Sequence, residues 1–142
     1  MAAGAFQLYA EGKRQTIAGE VSLASDTLTM ALLTESHSVD TTAHETFDDV
    51  SSDEVTDDDY AQQTLSGVSA TLDGDTVLFD ADTVSFGSDV SIEAKYAVIM
   101  VGNGDASDPL IAIVDLNDGG GSQRSVASAF EVRLPDGIYE AT

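Results

Sequence analysis

The apolar positions of this chain change their spacing near residue 27. Before that point, residues 6–19 carry Phe6, Leu8, Tyr9 and Ile17 among polar side chains, with few β-branched residues. A short helix or irregular arm ending near Gly19 is expected there, with Gly12 as its weak point. Residues 27–34 begin in strict alternation and close apolar, which predicts a strand with one face in the core. Residues 35–64 are polar, and Phe47, Val50, Val55 and Tyr60 separate the acidic groups Asp48-Asp49, Asp53-Glu54 and Asp57-Asp58-Asp59. These four apolar residues read as anchors, so the segment is expected to be an ordered excursion across the surface, with a helical turn at 52–55.

From Leu65 onward short strands follow one another. Residues 68–72 and 76–79 flank Asp73-Gly74-Asp75. An Asp-Gly pair between alternating segments predicts a hairpin, because both turn positions favour positive φ. Residues 84–86 and 90–94 come next. Residues 96–101 and 110–116 are nearly continuous apolar runs and are expected to be central strands covered on both faces. Residues 102–109 and 117–125 read as loops, the second containing Gly119-Gly120-Gly121. The chain closes with a strand at 129–134, a Pro-Asp-Gly turn at 135–137 and Ile138-Tyr139. About eight or nine short strands with one early helical candidate, and no helices of crossover length between them, predict an all-β fold. The expected architecture is an antiparallel β-sandwich, jelly-roll-like, in one domain over residues 1–142, with 1–19 as an N-terminal arm or helix and 35–64 as the acidic excursion.

Composition sharpens this picture. The chain has 142 residues, no Cys and no Trp, and its 26 acids against five Lys and Arg give a formal charge of -21. Eighteen of the acids are Asp, and they are dispersed along the chain. Like charge at this density opposes a compact state. The repulsion reaches about 8 to 10 Å at ordinary ionic strength but only about 3 Å in molar salt. The composition therefore reads as a surface adapted to brine. Five scattered bases do not make a phosphate-neutralising patch, so no nucleic acid partner is expected. The longest apolar runs are too short to cross a bilayer, and residues 1–10 lack the basic start of a secretory leader, so a soluble protein without membrane association is expected.

Candidate chemistry is sparse. His37 and His44 share a polar stretch with Asp40, Glu45 and Asp48. Two imidazoles and three carboxylates are a possible divalent-metal set, but their spacing matches no metal-binding motif, and they read as solvated loop residues. Asp57, Asp58 and Asp59, or Asp115 with Asn117 and Asp118, are weak calcium candidates that lack the ligand pattern of an EF-hand. The glycine run at 119–121 lacks the Lys and Ser/Thr of a phosphate loop, and no serine stands in a nucleophile elbow. No cofactor and no enzymatic activity are expected.

The order of segments carries a resemblance. Leu8-Tyr9, the stretch 25–34 followed by Ser36-His37, then 44–51, Glu54-Val55, Tyr60, 63–67, Phe79-Asp80-Ala81-Asp82, 95–99, 109–112 and Asp136-Gly137-Ile138 together resemble a family of small structural proteins encoded in tailed-phage genomes. The resemblance runs over nearly the whole chain. Three features depart from the family pattern: Phe86 stands where tryptophan is common, the ending 139–142 is more acidic, and lysine is scarce. The resemblance supplies no catalytic residue. It implies a virion component of a virus infecting a halophilic host, assembled in the host cytoplasm at high salt. A capsid decoration or cement protein is the first expectation, a tail, neck or fibre-base protein the second, and a carbohydrate-binding receptor-recognition module, which would share the sandwich fold, a further alternative. Its implied partners are the major capsid protein or other virion proteins and further copies of itself. Phe6, Leu8, Tyr9, Lys13 and Arg14 of the arm are the expected interaction residues.

Overall fold

The computed structural model describes residues 6–118, 120–134 and 139–141. The elements in chain order are β1 (Gln7–Leu8), α1 (Ala10–Ile17), β2 (Leu28–Leu33), β3 (Gln63–Thr64), β4 (Ser69–Asp73), β5 (Thr76–Asp80), β6 (Val84–Ser85), β7 (Glu93–Ala94), β8 (Tyr96–Val101), β9 (Leu110–Asp115), β10 (Gln123–Arg124), β11 (Glu131–Val132) and β12 (Tyr139–Ala141). All described pairings are antiparallel. The all-β expectation, with one short N-terminal helix, is what the chain adopts.

The long apolar runs form the middle of a five-stranded sheet ordered β1-β9-β8-β2-β3. One face carries Leu28, Met30, Leu32, Ala97, Ile99, Ala112 and Val114, which pack against Phe79, Val84, Phe86, Ile92, Phe130 and Val132 of a second layer. That layer consists of the small sheets β12-β5-β4, β11-β6 and β10-β7. Within it the Phe86 ring meets Phe130 edge-on at 6.1 Å and stacks on Tyr60 at 6.0 Å. The opposite face carries Ala31, Leu33, Val98, Met100, Leu110 and Ile113 beneath Tyr9, Phe47 and Val50. All six residues of β2 are buried, so the expectation of one core face for this strand is corrected: both faces are covered. The second cover is the excursion 35–64. Phe47 and Val50 lie in and beside two 3-10 turns, Phe47–Asp49 and Ser51–Asp53, and plug into the sheet as the anchor reading predicted.

The N-terminal segment is tied in, not free. Gln7 and Leu8 pair with Ile113 and Ala112 on β9. The Tyr9 amide donates to the Ile111 carbonyl at 2.9 Å, and the Tyr9 side chain is fully buried. The β8–β9 register shifts between Ile99 and Met100, whose partners are Ala112 and Leu110, leaving Ile111 as a bulge. Helix α1 crosses that bulge with Gly12 facing it, and a Cβ there would overlap the Leu110 carbonyl oxygen. Eight residues do not sustain a helix unaided, so this docking holds α1 in place. The helix ends as its sequence suggested. Gly19 takes φ 77°, its amide reaches Thr16, and the Glu20 amide reaches Gln15, the pairing of a Schellman cap.

Two local expectations shift. The hairpin between β4 and β5 pairs Asp73 with Thr76, so its turn is Gly74-Asp75, one residue later than the Asp-Gly pair implied. Only Gly74 takes a left-handed φ, 63°, as a turn with glycine at its first central position requires. The loop expected at 117–125 contains β10, which pairs with β7. The Pro-Asp-Gly turn at 135–137 lies outside the described residues.

Candidate functional site

The acidic candidates are held by the fold itself. The Asp57 carboxylate accepts the Glu93 amide at 2.9 Å and the Asp59 carboxylate accepts the Ser91 amide at 2.8 Å, stitching the excursion to the strand region beside it. Asp58 between them is exposed. Asp115 receives both contacts of the buried Lys95 ammonium, at 2.7 and 2.8 Å, and also accepts the Asn117 amide at 2.9 Å. Lys95 donates further to the Asn117 carbonyl at 2.8 Å, while the Asn117 side chain donates to Gly121 at 3.0 Å. The lysine takes the place a cation would occupy, and Asp118 is exposed beside it. Of the weak calcium candidates, Asp57, Asp59, Asp115 and Asn117 are engaged in hydrogen bonds of the fold, and Asp58 and Asp118 lie on the surface. Among the described residues no three His, Asp or Glu side chains converge as metal ligands.

The same use of carboxylates recurs elsewhere. Asp26 accepts the Ser22 amide, Asp40 those of Thr42 and Ala43, Asp49 those of Glu45 and Thr46, and Asp108 those of Gly104 and Asp105. These amide bonds hold the Asp40 and Asp49 carboxyls below their ordinary range. At Asp49 they complete a reciprocal cap with Thr46 on the first 3-10 turn.

Of the expected interaction residues, Phe6 and Leu8 are half-buried against the sheet and Tyr9 lies wholly inside, where burial pushes its phenol up. Arg14 is engaged by its own chain, at 2.6 Å from Glu11 and 2.8 Å from Glu20. Lys13 is exposed. Phe6, Leu8, Tyr9 and Arg14 are engaged within the fold, and of the two forms expected for this segment, arm or helix, the helix is the one adopted.

The unexpected site is histidine. His37 is not a solvated loop residue: its side chain is 2 % exposed, and its Nδ1 lies 2.8 Å from the Asp53 carboxylate. The His44 ring centroid is 5.6 Å away and the Tyr96 ring meets His37 edge-on at 5.7 Å. The cause is local. The His37 amide closes a turn on Thr34, and the Asp40 turn brings the His44 amide back to the Asp40 carbonyl, so residues 37–44 fold over the sheet face beside half-buried Val39 and Tyr96. His37 Nε2 and His44 Nδ1 are buried without a hydrogen-bond partner among the described residues. In the sequence, the lone apolar Val39 between polar neighbours was the one sign that this stretch turns inward. The Tyr60 hydroxyl donates to Glu54 at 2.6 Å and accepts the Leu32 amide at 3.1 Å, and burial, followed by the Glu54 bond, pushes the phenol's pKa up.

Comparison of the chain with protein-family models, with curated proteins and with solved structures gives no match. Among the described residues, no helix is long and apolar enough to cross a membrane.

Proposed function

We propose that the chain is a non-enzymatic structural protein of a virion, a decoration or cement protein on the capsid of a tailed virus with a halophilic host. The observation that carries this reading is an exposed apolar cross-strand pair on a carboxylate-rich surface. Leu72 is 73 % exposed and Val77 is 43 % exposed, and the two are cross-strand partners near the tip of the β4–β5 hairpin. Strand β4 is also the edge of its sheet. An unpaired strand edge beside exposed apolar side chains is a surface suited to strand addition by a neighbouring subunit. In brine such contacts keep their strength, whereas exposed ion pairs are screened. The resemblance to small tailed-phage structural proteins supports the same reading. Among residues 6–134, every described Phe and Tyr is buried or half-buried, which weighs against an aromatic platform for sugar binding.

The test is the copy number of the protein in purified particles, by quantitative mass spectrometry, together with incorporation of a Leu72→Ser/Val77→Ser variant. Hundreds of copies, and loss of incorporation by a variant that still folds, are expected. About five to twelve copies would assign it to a neck or tail ring instead, and absence from particles would reject the virion reading.

A further inference from the structure

We propose that His37 and His44 form a binding site for a first-row transition-metal ion of the zinc, nickel or copper class. Four observations carry the proposal. First, His37 donates its Nδ1 hydrogen to Asp53, at 2.8 Å, and the opposite ring edge is left with the Nε2 lone pair. A carboxylate behind an imidazole in this way fixes the tautomer and raises the basicity of the free nitrogen, which is the usual support of a metal-binding histidine. Second, that Nε2 is buried and has no hydrogen-bond partner, and His44 Nδ1 is in the same condition. Buried polar nitrogens are ordinarily paired, so two neighbouring exceptions call for a ligand.

Third, the spacing fits. With metal–nitrogen bonds of about 2.0–2.1 Å, an ion lies about 3.2 Å from each ring centroid, and two rings at a tetrahedral angle then stand about 5.2 Å apart. The observed separation is 5.6 Å. Fourth, the surroundings favour a cation, since the Asp40 carboxylate is tied to the Thr42 and Ala43 amides and the Asp49 carboxylate to the Glu45 and Thr46 amides, which places two acids on the turns either side of His44. Imidazole nitrogen selects these ions over calcium and magnesium, which prefer oxygen. The two rings supply two ligands. Water would have to supply the remaining ligands.

The experiment is titration of the full chain with ZnCl2 in molar KCl, followed by calorimetry and thermal unfolding, with CaCl2 as the control for the acidic surface. One zinc per chain is expected to bind and to raise the unfolding temperature, with His37→Gln and His44→Gln each weakening binding at least tenfold and Asp53→Asn weakening it by roughly tenfold. A second reading needs no variant: substoichiometric Ni2+ or Cu2+ added to the wild-type chain is expected to broaden the two histidine ring resonances before any carboxylate neighbour. Zinc binding that calcium reproduces and that survives both histidine substitutions, or histidine resonances unmoved by the metal, would overturn the proposal and leave the two nitrogens as sites for ordered water.

Discussion

Replacing Gly12 by alanine sets two physical effects against each other. Alanine is the better helix former by about 1 kcal/mol, so on propensity the substitution should stabilise α1. The docking geometry opposes it. A Cβ at position 12 would overlap the Leu110 carbonyl oxygen and sit 3.1 Å from Ile111 Cα and 3.3 Å from Ile111 Cδ1. The first two are backbone atoms of β9, and that strand is held by β8 on one side and β1 on the other. The strand has nowhere to retreat, so the helix must lift by the better part of an ångström. Lifting also strains the Tyr9 amide bond to Ile111. Overpacking of this kind costs about 1–3 kcal/mol, and contact with backbone places the cost in the upper half. After the propensity gain, Gly12→Ala should lose about 1–2 kcal/mol, read as a lower urea midpoint by circular dichroism in molar KCl and a Tm lowered by about 4 °C per kcal/mol. Lys13→Ala, exposed in the same turn, should stay within about 0.5 kcal/mol. A Gly12→Ala protein as stable as the parent would refute the docking argument.

Four further outcomes follow from the ion pairs, the tyrosine network and the carboxylates. Lys95→Met should cost about 2 kcal/mol, because it strips a charge-assisted partner from Asp115 and from the Asn117 carbonyl. Arg14→Ala, whose ion pairs are surface-exposed, should cost well under 1 kcal/mol in dilute buffer and nothing measurable in molar KCl; urea melts at two salt concentrations distinguish the pair, and equal salt sensitivity would contradict the assignment. Tyr60→Phe should cost about 1–2 kcal/mol by leaving the Leu32 amide and Glu54 without the hydroxyl, checked by the same melts. On acidification, Asp40 and Asp49 have folded pKa values below their unfolded ones, so their contribution is full above about pH 4 and is lost as the pH falls through the folded values. A stability profile from pH 7 to pH 2 should bend downward below about pH 4, and a flat profile would contradict it.

The sequence carried the strands whose signal is long enough to read. The apolar runs at 96–101 and 110–116 became β8 and β9, and the anchors Phe47 and Val50 did seat the excursion. Strands β1, β3 and β10 have two residues each, too few for a period, and exist only because a neighbouring strand offers its edge. The burial of Tyr9, named only among the interaction residues, was not legible because it depends on a bulge about one hundred residues further along the chain. The hairpin was legible as an element but not to the residue, since either Asp73-Gly74 or Gly74-Asp75 satisfies the local turn chemistry and the strand register decides. The inward turn of His37 depends on Asp53 and on the sheet beneath it, neither of which spacing within residues 37–48 can reveal.

The carboxylates that stitch backbone amides have a consequence for how this protein fares at low ionic strength. Asp26, Asp40, Asp49, Asp57, Asp59 and Asp108 act as short tethers, and aspartate rather than glutamate suits this because its carboxylate cannot stray from the nearby amides. Each is at once a source of mutual repulsion and a fastener, so dilution loads the very joints that the charges close. Recharging the surface with lysine would have to begin at exposed positions such as Asp58 and Asp89, because the same exchange at Asp57 or Asp59 would unpick the seam it was meant to relieve.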